Sequence, residues 1–484
     1  MPLVPREDLL EHFQIETLCV SIHTLPTLPR MAGQARGKRG FPAVLDKSRL
    51  LTARASALPA KLDKRIRQSD CHFQWQFALR FSASAGNLVF FILLAEVGMK
   101  MRLSRSIVGQ AEADAVRRVI LEDGYLGMGA ETRRFEADLA TWLGVEPEQV
   151  ISVNSGTAAL HLAVDAVAAQ ARAAGWPHAS PPEVLVPSLT FVASFQAITA
   201  AGCRPVACDV RADTATLDLA DAARRLGPRT LAIMPVHYAS NPWGLDEVHT
   251  FAAQHGLRVV EDAAHALGCQ HRGRKIGSFG DLVCFSFDGI KNITSGEGGC
   301  VVAFDAHAAQ LMADARLLSV QGDSQQRYTG GRSWEPQVTR QGWRYHLSNI
   351  MAAIGRVQLA RLDSEFIPAR RALAALYAER LAHLSGVALL HSDPADFIVP
   401  HILPVRILDG RKEAVRAALT AQGIPTGVHY RPNHLLRFFG DGQPSLPVTE
   451  RLYTELLTLP LHPGLTPEDV DNVCSALAAA VAAG

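Results

Sequence analysis

Between residues 150 and 304, short apolar runs alternate with stretches of helical periodicity. The runs at 150–153, 184–187, 205–210, 230–236, 258–261, 282–287 and 300–304 read as strands, and 157–172, 191–201, 217–226 and 245–255 read as helices. Strands alternating with helices predict a mostly parallel sheet covered on both faces, with ligands at the carboxyl ends of the strands. Two amphipathic helices, 111–122 and 131–143, come before this region and flank a Gly-rich loop at 124–129 that presents Tyr125. After it, a long helical stretch at 349–384 leads to a strand-like run at 399–408, a helix at 411–422, and closing helices at 448–457 and 466–483. The expected fold is α/β: a mostly parallel central sheet covered by helices, with a smaller C-terminal α+β domain. The expected division is a large domain over 101–350 and a small one over 351–484.

Residues 1–100 break the pattern, mixing Pro, Arg, Lys, Ser and Gln with little periodicity. Their one apolar run, 87–95, is too short to span a bilayer, which takes about 20 residues, and lies too far along the chain for a signal peptide. They read as a poorly structured or artefactual extension. The alternative is an additional module such as a membrane-surface anchor.

Composition narrows the function classes. A net charge of +1 argues against a nucleic-acid-binding surface. The eight cysteines show no C-x-x-C spacing, and several sit in apolar runs, so they read as free thiols of a reducing cytoplasm rather than a disulfide framework or a metal site. No membrane partner and no metal are expected.

The candidate chemistry lies at the predicted strand ends. The run ending at Phe287 passes into a short polar turn carrying Lys291, and Gly296, Gly298 and Gly299 lead into the next strand. A lysine held on a turn between buried strands is desolvated, which lowers its pKa and lets the neutral amine attack a carbonyl. The same residues also fit an ordinary surface turn. Asp262 ends another strand, 29 residues before Lys291. A lysine together with a carboxylate able to keep a pyridine nitrogen protonated is what pyridoxal phosphate chemistry requires. An Asp after a strand is equally suited to cap a helix. The third piece, Ser155-Gly156-Thr157, opens a helix after a strand, where backbone N–H groups and the helix dipole suit a phosphate. Many helices begin this way, and the order phosphate loop, acid, lysine is what gives the pieces weight.

With these motifs the sequence resembles the DegT/DnrJ/StrS sugar aminotransferases, pyridoxal phosphate enzymes of the aspartate aminotransferase (type I) fold. The resemblance runs from about Met101 to the C-terminus. It rests on Ser155–Leu160, Pro187–Ala193, Glu261–Ala266, Ser286–Gly299, Arg344–Asn349 with Ala352–Gly355, and His429–Pro432. As a set these are specific; singly they are not.

The resemblance implies pyridoxal 5′-phosphate as cofactor, bound covalently to Lys291, with Asp262 on its ring nitrogen, Gly156 and Thr157 on its phosphate and Phe191 stacked on its ring. By position alone Phe191 also fits the core. His265 would lie near the cofactor hydroxyl or be structural, and Ser286 would reach the phosphate or bond to backbone. Arg344 stands where many members carry an Asn supplied across a dimer interface to the phosphate, and an arginine can meet phosphate bidentately. The polar segment 321–343, with Arg327, Arg332 and Arg340, reads as a mobile loop whose arginines meet acidic substrate groups or lie solvated. His429 and Tyr430 would lie at the domain cleft, in a structural role or in contact with substrate.

The implied reaction is transamination of a keto-sugar, nucleotide-linked, with glutamate as amino donor, by a cytoplasmic homodimer with shared active sites in amino-sugar, polysaccharide or secondary-metabolite biosynthesis. Lys291 would carry the proton between substrate and cofactor carbons. The alternatives are an aminotransferase for a cyclitol or other carbocyclic ketone and a non-catalytic cofactor-binding regulator. A dehydratase of the same family would carry His in place of Lys291.

Overall fold

The structure, a computed structural model, describes residues 101–484 other than 332, 333, 336, 441 and 484, and the backbone of three strands before residue 101. Residues 1–100 and 101–484 form separate units. In the first unit, β1 (Glu16–Val20), β2 (Gln74–Ser84) and β3 (Asn87–Val97) make an antiparallel sheet in the order β1-β3-β2, with Ser84 opposite Asn87. The apolar run at 87–95 lies in β3. The expectation of a poorly structured or artefactual extension otherwise falls outside the described residues.

The second unit is built on a sheet formed by β4 (Val150–Val153), β5 (Glu183–Pro187), β6 (Arg204–Cys208), β7 (Thr230–Ile233), β8 (Arg258–Asp262), β11 (Leu282–Ser286) and β12 (Gly299–Ala303), with a small hairpin of β9 (Gln270–His271) and β10 (Arg274–Lys275) between β8 and β11. The seven strands lie in the order β4-β12-β11-β8-β7-β5-β6. β12 alone runs opposite to the other six strands, because the connection 287–298 contains no helix and returns the chain directly beside β11. The strands are continuous apolar runs because helices cover both faces. Along β11, Leu282 and Cys284 join the core under the helices Gly156–Ala173, Val192–Ala200 and Ala306–Ala315. Val283 and Phe285 join the opposite core, under Ala130–Leu143 and Asn349–Arg361. This is the two-residue period of a strand reading out onto two cores.

The C-terminal part holds a second sheet, β13 (Val387–Leu389), β14 (Leu403–Ile407) and β15 (Leu456–Leu459), with the helices Ile367–Leu381, Lys412–Ala421 and Pro467–Ala482 around it. Two expectations are corrected here. The predicted helix over 349–384 is interrupted by a wide turn at Leu362–Phe366, and a new helix starts at Ile367 with Pro368 in its first turn, where a missing N–H costs nothing. The predicted helix over 448–457 stops at Glu455, because Leu456–Leu459 is a fully buried run that pairs with β14. Among the described residues, no helix is long and apolar enough to cross a membrane.

Candidate active site

At the carboxyl edge of the main sheet a cavity of about 280 Å³ is lined by Gly156, Thr157, Phe191, Asp262, His265, Ser286, Lys291, His401, His429 and Tyr430, among others. Seven of the eight predicted site residues therefore come together. They lie at or just beyond the carboxyl ends of β4, β5, β8 and β11; β8 and β11 are adjacent in the sheet, while β12 stands between β4 and β11 and β7 between β5 and β8. Arg344 is the exception: it is exposed, lies outside the cavity, and forms an isolated bridge with Leu317.

Lys291 sits on the turn between β11 and β12. Its N–H donates to the Asp288 carbonyl at 3.1 Å, and the next side chain, buried Asn292, donates to the carbonyls of Leu267 at 2.8 Å and Val399 at 3.2 Å. The lysine is thus held by its backbone, while its Nζ lies 3.4 Å from His401 Nε2. Burial pushes the amine down to about 8, against the pull of Asp262 and Asp288. The surface-turn reading does not hold.

Asp262 ends β8 and is 5% exposed. Ser194 Oγ donates to its Oδ2 at 2.7 Å, and Ala264 N–H donates to Oδ1 at 3.2 Å. No helix follows, so the capping role is replaced by a tight turn, and Asp262 and His265 share a site without sharing a helix face. Burial pushes His265 and His401 well below the ordinary histidine value, with the Lys291 charge adding to it, so both rings are neutral. The rings lie 4.5 Å apart, and the Tyr430 hydroxyl is 3.1 Å from His265 Nε2.

Phe191 is 54% exposed, not a core residue, and its ring tilts towards Tyr430 with centroids 5.5 Å apart. Gly156 begins the helix that ends at Ala173, with Ser155 as its cap. A Cβ on Gly156 would stand 2.7 Å from Ser286 Cβ, so only glycine lets the helix end approach β11 this closely.

Pyridoxal 5′-phosphate fits these residues. One cavity gathers the start of a helix for a phosphate, a buried carboxylate, a desolvated lysine and an exposed aromatic ring. His265 Nδ1 is a further buried polar atom without a partner. Among the described residues, no group of three or more His, Cys, Asp or Glu is placed to hold a metal.

The segment 321–343 departs from expectation. It contains a short helix, Asp323–Tyr328, and its arginines are engaged internally: Arg327 pairs with Asp323 at 2.5 Å, and Arg340 pairs with Asp165. Arg332 lies outside the described residues. Tyr125 does not line the cavity; the Asn349 side chain donates to its carbonyl at 2.9 Å. Sequence reasoning missed Ser194 and His401. Ser194, one turn into a helix from Thr190, carried a weak signal in its spacing. His401 carried none.

Residues 107–478 match the DegT/DnrJ/EryC1/StrS aminotransferase family. Among solved structures, DesV from S. venezuelae, in complex with a ketimine intermediate, is 34% identical, with 76% of this chain and 94% of DesV covered and a TM-score of 0.68. The sugar aminotransferase CalS13 from Micromonospora echinospora is 29% identical, with 78% and 99% covered and a TM-score of 0.70. DesI, solved in the presence of its TDP-sugar product, is 29% identical, with 79% and 93% covered and a TM-score of 0.68.

Proposed function

Since the chain belongs to the DegT/DnrJ/EryC1/StrS aminotransferase family, and is an aminotransferase acting on a sugar, we propose that its acceptor is a nucleotide-linked keto-sugar, its donor glutamate and its cofactor pyridoxal 5′-phosphate. The observation that carries this reading is that desolvated Lys291 and buried Asp262 line one cavity with the start of a phosphate-suited helix. The nucleotide link is supported by DesI, whose product is a TDP-sugar.

The cofactor, when bound, supplies an electron sink for the carbon that gains or loses the amine. The remaining work belongs to the chain. Gly156, Thr157 and Ser286 would hold the phosphate end, and Phe191 would cover the ring. Asp262, oriented by Ser194, would hold a proton on the ring nitrogen, and His265 would serve the ring hydroxyl. Lys291 Nζ would hold the group, and as a free amine it would be the base that takes a proton from the amine-bearing carbon of the donor. An amine pushed down to about 8 is partly neutral near pH 7, as a base must be. His401 lies at Nζ and steadies it. Burial keeps water from competing for these groups.

We also propose a homodimer with shared sites. Its support is Arg344, exposed and outside its own cavity, where the resemblance expects a phosphate contact from the partner. A cytoplasmic location is supported by the six described cysteines, all buried and free. Purified protein with glutamate should aminate at least one member of a panel of nucleotide-linked keto-sugars, read by mass spectrometry. Amination of carbocyclic ketones alone would replace this substrate reading with the cyclitol one.

A further inference from the structure

Arg370 is 2% exposed, yet its hydrogen bonds among the described residues go to backbone carbonyls rather than to a carboxylate. A buried arginine without a counter-ion is costly, so its retention requires a reason. Its donors go to three backbone carbonyls. Nη1 reaches Pro400 and His401, each at 3.3 Å, and Nη2 reaches Lys291 at 3.4 Å. Nε is buried without a partner. The guanidinium therefore joins the two segments that carry the Lys291 amine and the His401 ring.

We propose that Arg370 is a positioning residue for the reaction, fastening the Lys291 turn to the 400–401 segment and setting an uncompensated positive charge beside the lysine. The inference rests on the role proposed for Lys291. The charged and titratable groups around that amine are Asp262 from β8, Asp288 and Glu297 on the connection that carries it, His265, His401, His429 and Tyr430 lining the same cavity, and Arg370 from the helix Ile367–Leu381. Asp262 and Asp288 favour the ammonium form. The three histidines are neutral, pushed down chiefly by burial. Arg370 is thus the cation that opposes the acids and, with burial, favours the free amine. Burial pushes Arg370 itself down to about 10, so it stays charged at neutral pH. A lysine kept neutral by desolvation and a neighbouring cation is a known route to a reactive amine.

The test is competitive labelling of Lys291 in cofactor-free protein with an amine reagent, read by peptide mass spectrometry across pH. In the unaltered protein the labelling midpoint should lie near 8. Arg370→Gln keeps hydrogen-bonding capacity and removes the charge, and should raise the midpoint by roughly half a unit or more. Arg370→Met removes both, and should raise it similarly while speeding hydrogen exchange at Lys291 and His401. A folded Arg370→Gln protein with an unmoved midpoint overturns the proposal. If neither variant folds, the Arg370 side-chain nitrogen resonances of the unaltered protein decide. They should shift as Lys291 titrates and lose that shift in Lys291→Ala; resonances blind to the lysine overturn the proposal. Covalent capture of Lys291 by borohydride tests the lysine's own role, so the two readings fail separately.

Discussion

At the residue scale, Lys291 and Asp262 divide one task, and their losses should look different. Lys291→Ala removes the covalent anchor and the base, so transamination should fall by about 10²–10⁴-fold or more, and borohydride should no longer fix cofactor to the protein. Asp262→Ala keeps the anchor, so borohydride should still label Lys291 while the proton-transfer step slows. Labelling of Lys275 instead of Lys291 in the unaltered protein would sink the assignment. His429 sets a pH dependence of stability. Burial, followed by the Lys291 charge, pushes it down to about 4. Between that value and about 6.5 the unfolded chain binds a proton that the folded one does not, so stability is lost as pH falls through this window. The contribution is about 3 kcal/mol, and His429→Gln should flatten the dependence of Tm on pH between 6.5 and 4. Equal slopes in both proteins would assign the acid sensitivity elsewhere.

At the element scale, the site depends on how closely β12 approaches the start of the helix Gly156–Ala173. Gly299 opens β12, and a Cβ there would meet Phe285 O at 2.6 Å, Ser155 O at 2.7 Å and Gly156 N at 2.8 Å. All three are backbone atoms, so no side chain can swing away. Gly299→Ala should cost about 1–3 kcal/mol, and it should weaken cofactor binding because it displaces the helix end. Gly227→Ala is the control, since the nearest atom to its Cβ would be Glu183 Oε2 at 3.9 Å. Matching urea midpoints for the two variants would show that β12 has room to move.

At the scale of the whole molecule, the unit from Met101 carries both sheets and every residue of the cavity. A chain beginning at Met101 should therefore fold, bind pyridoxal 5′-phosphate and turn over at the rate of the full chain. Insoluble protein would show that residues 1–100 contribute to folding. The shared-site proposal predicts that Lys291→Ala and Arg344→Ala proteins, inactive alone, regain activity when mixed, with about one competent site per heterodimer. No recovery after verified subunit exchange would return Arg344 to its own subunit or remove it from the phosphate.

The alternation of apolar runs and helices determined the sheet, since a strand covered on both faces has to be apolar along its length. It also set the strand ends, and with them the neighbourhood of Gly156, Asp262, Ser286 and Lys291. Motif spacing was enough to pair the lysine with the acid. Only the tertiary structure decided what surrounds them. Ser194 reaches Asp262 across 68 residues and His401 reaches Lys291 across 110. Arg370 reaches the Lys291 carbonyl across 79. Such contacts depend on the path of the chain between elements, which no local periodicity encodes. The same holds for the arginines of 321–343: a polar segment reads alike whether its charges face a substrate or, as with Arg340 and Asp165, a carboxylate 175 residues away. Local pattern fixes which residues face inward along one element, whereas folding fixes which elements face each other.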